Sequence, residues 1–425
     1  MTSILIKNGR IIDPARNIDG VFDVLIEDGL IKALETPGVL TDADQVIEAS
    51  NFWVLPGLID MHVHLREPGH EYKETVASGG RAAVAGGITQ ILAMPNTSPA
   101  MDNAGQVGAL LRQAEKAALV KVWPAAAMTI GRQGEEMAEY EDICAAGAVA
   151  VTDDGSWLKN PKVLRRVLDY AAVTGLLPLS HAEDHDLSKG GAVHEGWVSA
   201  RLGLPGIPAQ AEINAVTRDI NMVELSGRPL HFCHLSTKGA VEAVRAAKAK
   251  GLPVSCETAP HYLFLTHDDL GDYDTNAKMN PPLRTAEDRE AVRAALADGT
   301  IDAIATDHAP HSTLEKDVEF IDAAFGIIGL ETSLPLMLEL VRADIITPAR
   351  LVELMSLNPA RLLKIPGGDL AVGSLAHVTV VDPNLNFSLK PEDSKSLSRN
   401  SPFWNRPLIG RAVSTIVDGR VVYEL

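Results

Sequence analysis

The chain has 425 residues, 46% of them hydrophobic and 22% charged, with a formal net charge of -18. That length exceeds one ordinary domain but fits a barrel of about 250 residues with a smaller module. The acidity and the lack of a basic stripe exclude a nucleic-acid partner, and no apolar run approaches the roughly 18 residues of a membrane span.

The first segment, residues 1-55, holds Ile4-Leu5-Ile6-Lys7, Val24-Leu-Ile26 and Gln45-Val-Ile-Glu48, short β-rich runs punctuated by Asn-Gly and Asp-Gly turns. Its first apolar run ends at Asn8 after three residues, so it lacks the core of a secretory signal. Over residues 56-365, short apolar runs alternate with stretches of helical period, such as Pro161 to Thr174 and Thr237 to Lys250. Eight strands are expected, ending near His64, Asn96, Thr129, Asp154, His181, His234, Tyr262 and Asp307. This α/β pattern predicts a TIM (β/α)8 barrel, whose strand ends converge on one catalytic face. In residues 366-425, His377-Val-Thr-Val-Val-Asp382 and a hairpin around Asp418-Gly419 read as further strands. Neither flank alone buries a good core, so both are expected to form one small β-sandwich domain. Cys144, Cys233 and Cys256 are an odd, widely spaced set, which argues for a reducing cytoplasm and against a disulfide framework or thiolate cluster.

Within Leu58-Ile-Asp60-Met-His62-Val-His64-Leu-Arg66, two histidines at i and i+2 face the same way on a strand and offer a metal clamp. Alone, the pair fits polar caps on a core strand equally well. Further candidate ligands end other strands: Asp153 and Asp154, His181, His234 and Asp307. Neighbours on a strand face opposite ways, so which of Asp153 and Asp154 turns inward stays open. Asp60 is either a support behind the ligands or a structural hydrogen-bonding group, and His308 is expected to orient its loop. Lys73-Glu74 and Glu315-Lys316 read as solvated charges, and His70, His185, His194, His231, His261, His267 and His377 as ordinary polar residues. Gly86-Gly87 and Gly190-Gly191 read as turns; no Gly-x-Ser-x-Gly nucleophile elbow is present.

Pro56-Gly-Leu-Ile-Asp-Met-His-Val-His64, Met94-Pro-Asn-Thr-Ser-Pro99, Lys278-Met-Asn-Pro-Pro-Leu-Arg284 and Asp307-His-Ala-Pro-His311 follow one another in order. Together they resemble the bacterial type I dihydroorotases of the amidohydrolase superfamily, over nearly the whole chain. The resemblance implies two Zn2+ ions per subunit, one on His62, His64 and Asp307, the second on His181 and His234, with Asp154 bridging. Many superfamily relatives bridge with a carboxylated lysine; Thr152-Asp-Asp-Gly155 offers none here. Asp307 is implied as the catalytic proton shuttle. His64 is implied among the substrate-binding residues, Arg66, Asn96 and His311 as the clamp for the substrate α-carboxylate, Asn280 on the pyrimidine ring, and the backbone of Phe325 and Gly326 on its amide edge. Ala323-Ala-Phe-Gly326 stands where the family would have alanine-proline.

The implied activity is reversible cyclisation of N-carbamoyl-L-aspartate to L-dihydroorotate in pyrimidine biosynthesis. The rivals are another cyclic amidase (hydantoinase, dihydropyrimidinase or allantoinase) and a non-catalytic dihydroorotase-like subunit of aspartate carbamoyltransferase. A homodimer is expected; association with aspartate carbamoyltransferase stays open.

Overall fold

Both flanks of the chain meet at one strand. In the computed structural model, which describes Ser3 to Leu425, Trp53–Pro56 pairs parallel with Ser3–Asp13 and antiparallel with Val378–Ser388. Met1 and Thr2, the start of the expected first segment, lie outside the described residues. The result is an eight-stranded sheet drawn from both ends. Its buried face unites Ile4, Ile6, Val24 and Ile26 with Val378, Val380 and Ile416, so neither flank makes that core alone. The turns behave as their residues require: Asp418 and Gly419 take φ 49° and 69°, and Asp28 and Gly29 take 52° and 80°. Positive φ at both central residues matches the right-handed twist of the flanking strands.

The barrel strands are Leu58–Val63, Ile88–Ala93, Lys121–Ala126, Ala150–Thr152, Leu177–Ser180, Leu230–Phe232, Val254–Thr258 and Ala303–Ile304, all parallel in chain order. A bridge between Val63 and His308, with the His64 N–H donating to the His308 carbonyl at 2.9 Å, brings the last strand back to the first. The expected strand ends lie one to four residues beyond the observed ones, so the candidate site residues occupy the loops that leave the barrel's carboxyl face. The seventh end shows the largest difference. Pro260 starts the helix Pro260–Phe264 and cannot donate to a ladder, so that strand stops at Thr258 rather than near Tyr262.

The outer helices follow their sequence signals. Pro161–Thr174 begins at proline behind Asn160, whose side chain accepts from the Lys162 N–H, and buries Val163, Leu164, Val167, Leu168 and Ala171 on one face. Lys238–Ala249 is capped by the Thr237 side chain. The interior of the barrel is filled by Ile59, Met61, Leu92, Leu179 and Ala305, with Leu363 and Ile365 from the later chain in the same cluster.

One local expectation is corrected. Lys73, Glu74 and Lys316 are 8%, 0% and 5% exposed rather than solvated. Lys73 pairs with Glu315 at 2.5 Å, and Lys316 donates to the carbonyls of Lys278, Ala324 and Gly326. Glu74 accepts from the His308 ring at 3.2 Å and from the Leu397 N–H. These groups can be buried because each finds a partner, which composition alone does not reveal. The chain between Val378–Ser388 and Pro407–Val417 leaves the flank sheet and lies against the barrel mouth, where Ser398 donates to the Lys73 carbonyl at 2.7 Å.

Candidate active site

Four histidines and two aspartates from five barrel strand ends converge on the carboxyl face. The Asp154 carboxylate is central. Its Oδ1 lies 3.3 Å from His62 Nε2, 3.6 Å from His181 Nδ1 and 3.9 Å from His234 Nε2, while Oδ2 lies 3.6 Å from His64 Nε2. Asp307 Oδ1 lies 3.0 Å from His64 Nε2 and 3.5 Å from His62 Nε2. The alternative aspartate turns away: Asp153 accepts from the backbone N–H and hydroxyl of Thr129.

Local backbone geometry aims these groups. Pairing with the second strand slips in register between Asp60 and Val63, so strict alternation is interrupted where the His-x-His pair sits. Arg66, His234 and Asp307 take φ 61°, 37° and 47°, a left-handed conformation that costs a non-glycine residue about 1–3 kcal/mol and persists only where neighbours enforce it. Asp60 supplies part of that enforcement. It accepts from the Thr306 N–H at 3.1 Å and the Thr306 hydroxyl at 2.6 Å, pinning the residue before Asp307 to the first strand. Burial pushes Asp60 up to about 6 against those bonds. His308 orients its loop by donating to Glu74 and accepting from the Gly329 N–H.

Three of the histidines also bond outward. His62 Nδ1–H donates to Glu257 at 2.9 Å, His181 Nε2–H to Glu183 at 3.4 Å, and His64 Nδ1–H to the Asn96 side-chain oxygen at 2.8 Å. A carboxylate only accepts, so His62 and His181 carry their hydrogen on the outer nitrogen and turn a lone pair inward. His62 Nε2 then has no hydrogen-bond partner, and His181 Nδ1 faces His234 Nε2 at 2.8 Å. Lone pairs and carboxylates crowded this way need positive charge among them. The electrostatics agree. Burial opposes charge on His62, yet Asp307 and Asp154 push its pKa well up; burial opposes it on His181, yet Asp154 and Glu183 push it up to about 9. Burial would raise Asp307, but His62, His64 and His234 hold it down to about 2. Two overlapping sets, His62-His64-Asp307 and His62-Asp154-His234, each have ligand atoms within 4.8 Å of one another. Imidazole nitrogen with carboxylate oxygen is a donor set that suits zinc, so the residues fit a metal.

Beside this cluster, Arg66 Nε donates to the Pro310 carbonyl at 3.1 Å and an Arg66 terminal nitrogen donates to His311 Nε2 at 3.3 Å. Burial first and Arg66 second push His311 down to about 3, which leaves Arg66 as the cation of the pair. Asn96 is tied to the donor cluster through both ends of its amide, donating to Asp154 Oδ2 at 3.0 Å. Asn280 donates to Glu183 at 2.8 Å, and its side-chain oxygen is buried without a partner. Gly326 donates its N–H to the Lys278 carbonyl and accepts from Lys316 and Asn400; the Phe325 ring lies 4.6 Å from Lys278 Nζ.

Glu257 and Glu183 carry no motif in the sequence, and His231 reads there as an ordinary polar residue. His231 is 0% exposed and donates to Glu257 at 3.3 Å, and its other nitrogen bonds Ser255 at 2.8 Å. The available signal was polar alternation, Ser255 then Glu257, within a strand whose five residues are all buried. A surface cavity of about 1050 Å³, lined in part by Glu139, Tyr140, Arg166 and Tyr170, lies along the outer helices and contains none of these donors.

The barrel, the clustered donors and the terminal sheet define a protein of the amidohydrolase superfamily. Its structure is similar to that of L-hydantoinase (dihydropyrimidinase) from Arthrobacter aurescens, with TM-score 0.88 and 27% identity, covering 100% of this chain and 96% of that one. Residues 53–240 match the Dihydro-orotase-like family. The chain is 51% identical over 422 residues to a dihydroorotase of Syntrophotalea carbinolica, covering 99% of each. It is also 51% identical over 423 residues to one of Anaeromyxobacter dehalogenans, covering 99% of this chain and 98% of that protein. The chain belongs to the dihydroorotase family.

Proposed function

We propose that the protein is a dihydroorotase that reversibly cyclises N-carbamoyl-L-aspartate to L-dihydroorotate in pyrimidine biosynthesis. The observation that carries this reading is the adjacency of two recognition elements: a donor cluster centred on Asp154, and an arginine at the same mouth, 3.3 Å from His311. A cyclic amide with a ring carboxylate needs both. We assign Zn2+ to the cluster, with His62, His64 and Asp307 holding one ion, His181 and His234 the second, and Asp154 shared. Bound there, the metal supplies positive charge that polarises the ring carbonyl and makes a water proton easier to remove.

Arg66, Asn96 and His311 hold the ring carboxylate, because a planar guanidinium matches it and the neutral amide and imidazole add no competing charge. In the hydrolytic direction Asp307 takes a proton from the attacking water at a carboxylate oxygen and delivers it to the ring nitrogen as the amide C–N bond breaks. In the synthetic direction the same oxygen takes the proton from the carbamoyl nitrogen as it bonds to the side-chain carboxyl carbon, and returns it to the departing oxygen, which leaves as water. A carboxylate held near 2 is ionised and ready to accept. Asn280 presents its unpartnered oxygen to a ring N–H, since Glu183 fixes its amide hydrogens on the other side. The Phe325 and Gly326 backbone borders the amide edge.

No helix among the described residues is long and apolar enough to cross a membrane, in keeping with the cytoplasmic location we assign. A homodimer, and an association with aspartate carbamoyltransferase, complete the proposal; sedimentation of the protein alone and mixed with that enzyme tests both. The deciding experiment assays zinc-loaded protein with dihydroorotate and carbamoyl aspartate in both directions, beside hydantoin and dihydrouracil. Preferred turnover of the last two would replace this reading with another cyclic amidase. Freshly purified protein without metal or turnover would point to the non-catalytic subunit instead.

A further inference from the structure

The C-terminal flank contributes a side chain to the barrel mouth that the fold does not require for its own sheet. Asn400 lies between the flank strands Val378–Ser388 and Pro407–Val417 and is 2% exposed. Its side-chain oxygen accepts from the His311 N–H at 3.0 Å, and its amide nitrogen donates to the carbonyls of Ala309 at 2.9 Å and Gly326 at 3.0 Å. Its own carbonyl accepts from the Ile328 N–H at 3.0 Å. Both amide hydrogens and the oxygen are engaged, so the group cannot flip without setting carbonyls against carbonyls. A cavity of about 390 Å³, lined in part by His311, Lys316, Arg399 and Asn400, opens beside it.

We infer that Asn400 is a positioning residue for substrate recognition, locking the His311 loop, on the carboxylate side, to the Gly326 loop, on the amide edge, so that the two sides of the substrate mouth keep a fixed separation. The inference rests on the dihydroorotase reading for its kinetic consequence alone. Asn400 touches neither the donor cluster nor the expected path of the proton, so its loss falls on substrate binding. A small displacement at such a clamp is enough to weaken it. The anchors of its segment lie elsewhere: Ser398 donates to the Lys73 carbonyl, and the Trp404 ring N–H to the Arg399 carbonyl.

The test compares zinc-loaded full-length wild type with Asn400→Asp, Asn400→Ala and Ser398→Ala. Asn400→Asp keeps the acceptor for His311 but faces two carbonyls with lone pairs. Asn400→Ala removes the whole link and is read by the same measurements should the aspartate variant fail to fold. We expect KM for dihydroorotate to rise about tenfold in either Asn400 variant with kcat within about twofold, the pattern of lost binding rather than lost chemistry. Backbone amide exchange should quicken only at Ala309, His311 and 326–328. Ser398→Ala should lower thermal stability and leave KM near wild type. Unchanged KM and exchange in both Asn400 variants would overturn the inference, as would an equal KM rise in Ser398→Ala. If wild type fails to turn over dihydroorotate, the functional reading falls, and the exchange pattern alone decides whether Asn400 locks the two loops.

Discussion

Replacing Arg66 with lysine keeps a positive charge at the mouth and removes only the fork. The position has φ 61°, which lysine tolerates as arginine does, so the substitution adds no backbone strain. A guanidinium has five N–H donors. In Arg66 one goes to the Pro310 carbonyl and one to His311, so the face of the guanidinium beyond them is free to pair with a carboxylate through two parallel bonds. Lysine can offer one such bond, from a flexible stem. A hydrogen bond to a charged group is worth about 1.5–3 kcal/mol net, so kcat/KM for dihydroorotate should fall by about 10- to 150-fold. Dihydrouracil has the ring amide without the carboxylate, and its kcat/KM should change by less than about threefold. Initial rates on both substrates, with metal content measured on the same samples, give the ratio directly. An equal fall on both would show Arg66 to be a structural support, and undiminished turnover of dihydroorotate would remove it from recognition altogether.

Asp307→Ala should leave the fold intact and lower kcat by about a hundredfold or more, because it deletes the proton carrier; near-normal turnover in a folded variant would assign that role elsewhere. Stripping metal with a chelator should abolish turnover and lower the thermal midpoint, since crowded lone pairs and carboxylates then lose their counter-charge, and added zinc should restore both. Equal midpoints with and without zinc would refute the metal assignment. For His311, burial and then Arg66 lower the folded-state pKa from 6.5 to about 3, so the unfolded chain binds a proton there that the folded protein does not. Its contribution to stability is present above pH 6.5 and is lost as pH falls towards 3. His311→Gln should therefore flatten the acid side of the stability profile, and KM for dihydroorotate should show no His311 titration above pH 6.5.

What the sequence disclosed depended on whether the signal was local. His62 and His64 share a short apolar run, and Pro161 after Asn160 marks a helix start by two adjacent residues, so both were visible. The choice between Asp153 and Asp154 was not, because it turns on a partner far along the chain, the Thr129 backbone and hydroxyl. Lys73, Glu74 and Lys316 misled for the same reason. Their burial depends on Glu315, His308 and three backbone carbonyls brought in by folding, and single-sequence polarity predicts solvent. Asn400 is the extreme case: a residue in the flank whose four partners all lie in the barrel's loops.

The charge balance at the mouth explains how a chain of net charge -18 takes an anionic substrate. Asp154, Asp307, Glu183 and Glu257 place four carboxylates around the histidines, and each is 5% exposed or less. Without ions only protonation of His62 and His181 offsets them, and the remaining carboxylate charge repels a substrate carboxylate, since buried charges are poorly screened. On the proposed assignment, two divalent ions on the donor set would cancel four negative charges, and the nearby His311 is neutral. On that assignment Arg66 is an uncompensated charge that would face the single carboxylate of dihydroorotate, with Arg132, which donates to the Asp154 carbonyl, close by. Metal loading and substrate affinity are therefore coupled through charge as well as through chemistry. Dihydroorotate should bind metal-depleted protein weakly even though Arg66 and His311 are in place, whereas binding of uncharged dihydrouracil should depend on metal far less. Calorimetric titration of both ligands into loaded and depleted protein separates the two effects, and equal sensitivity to metal would show that the ions act by direct contact alone.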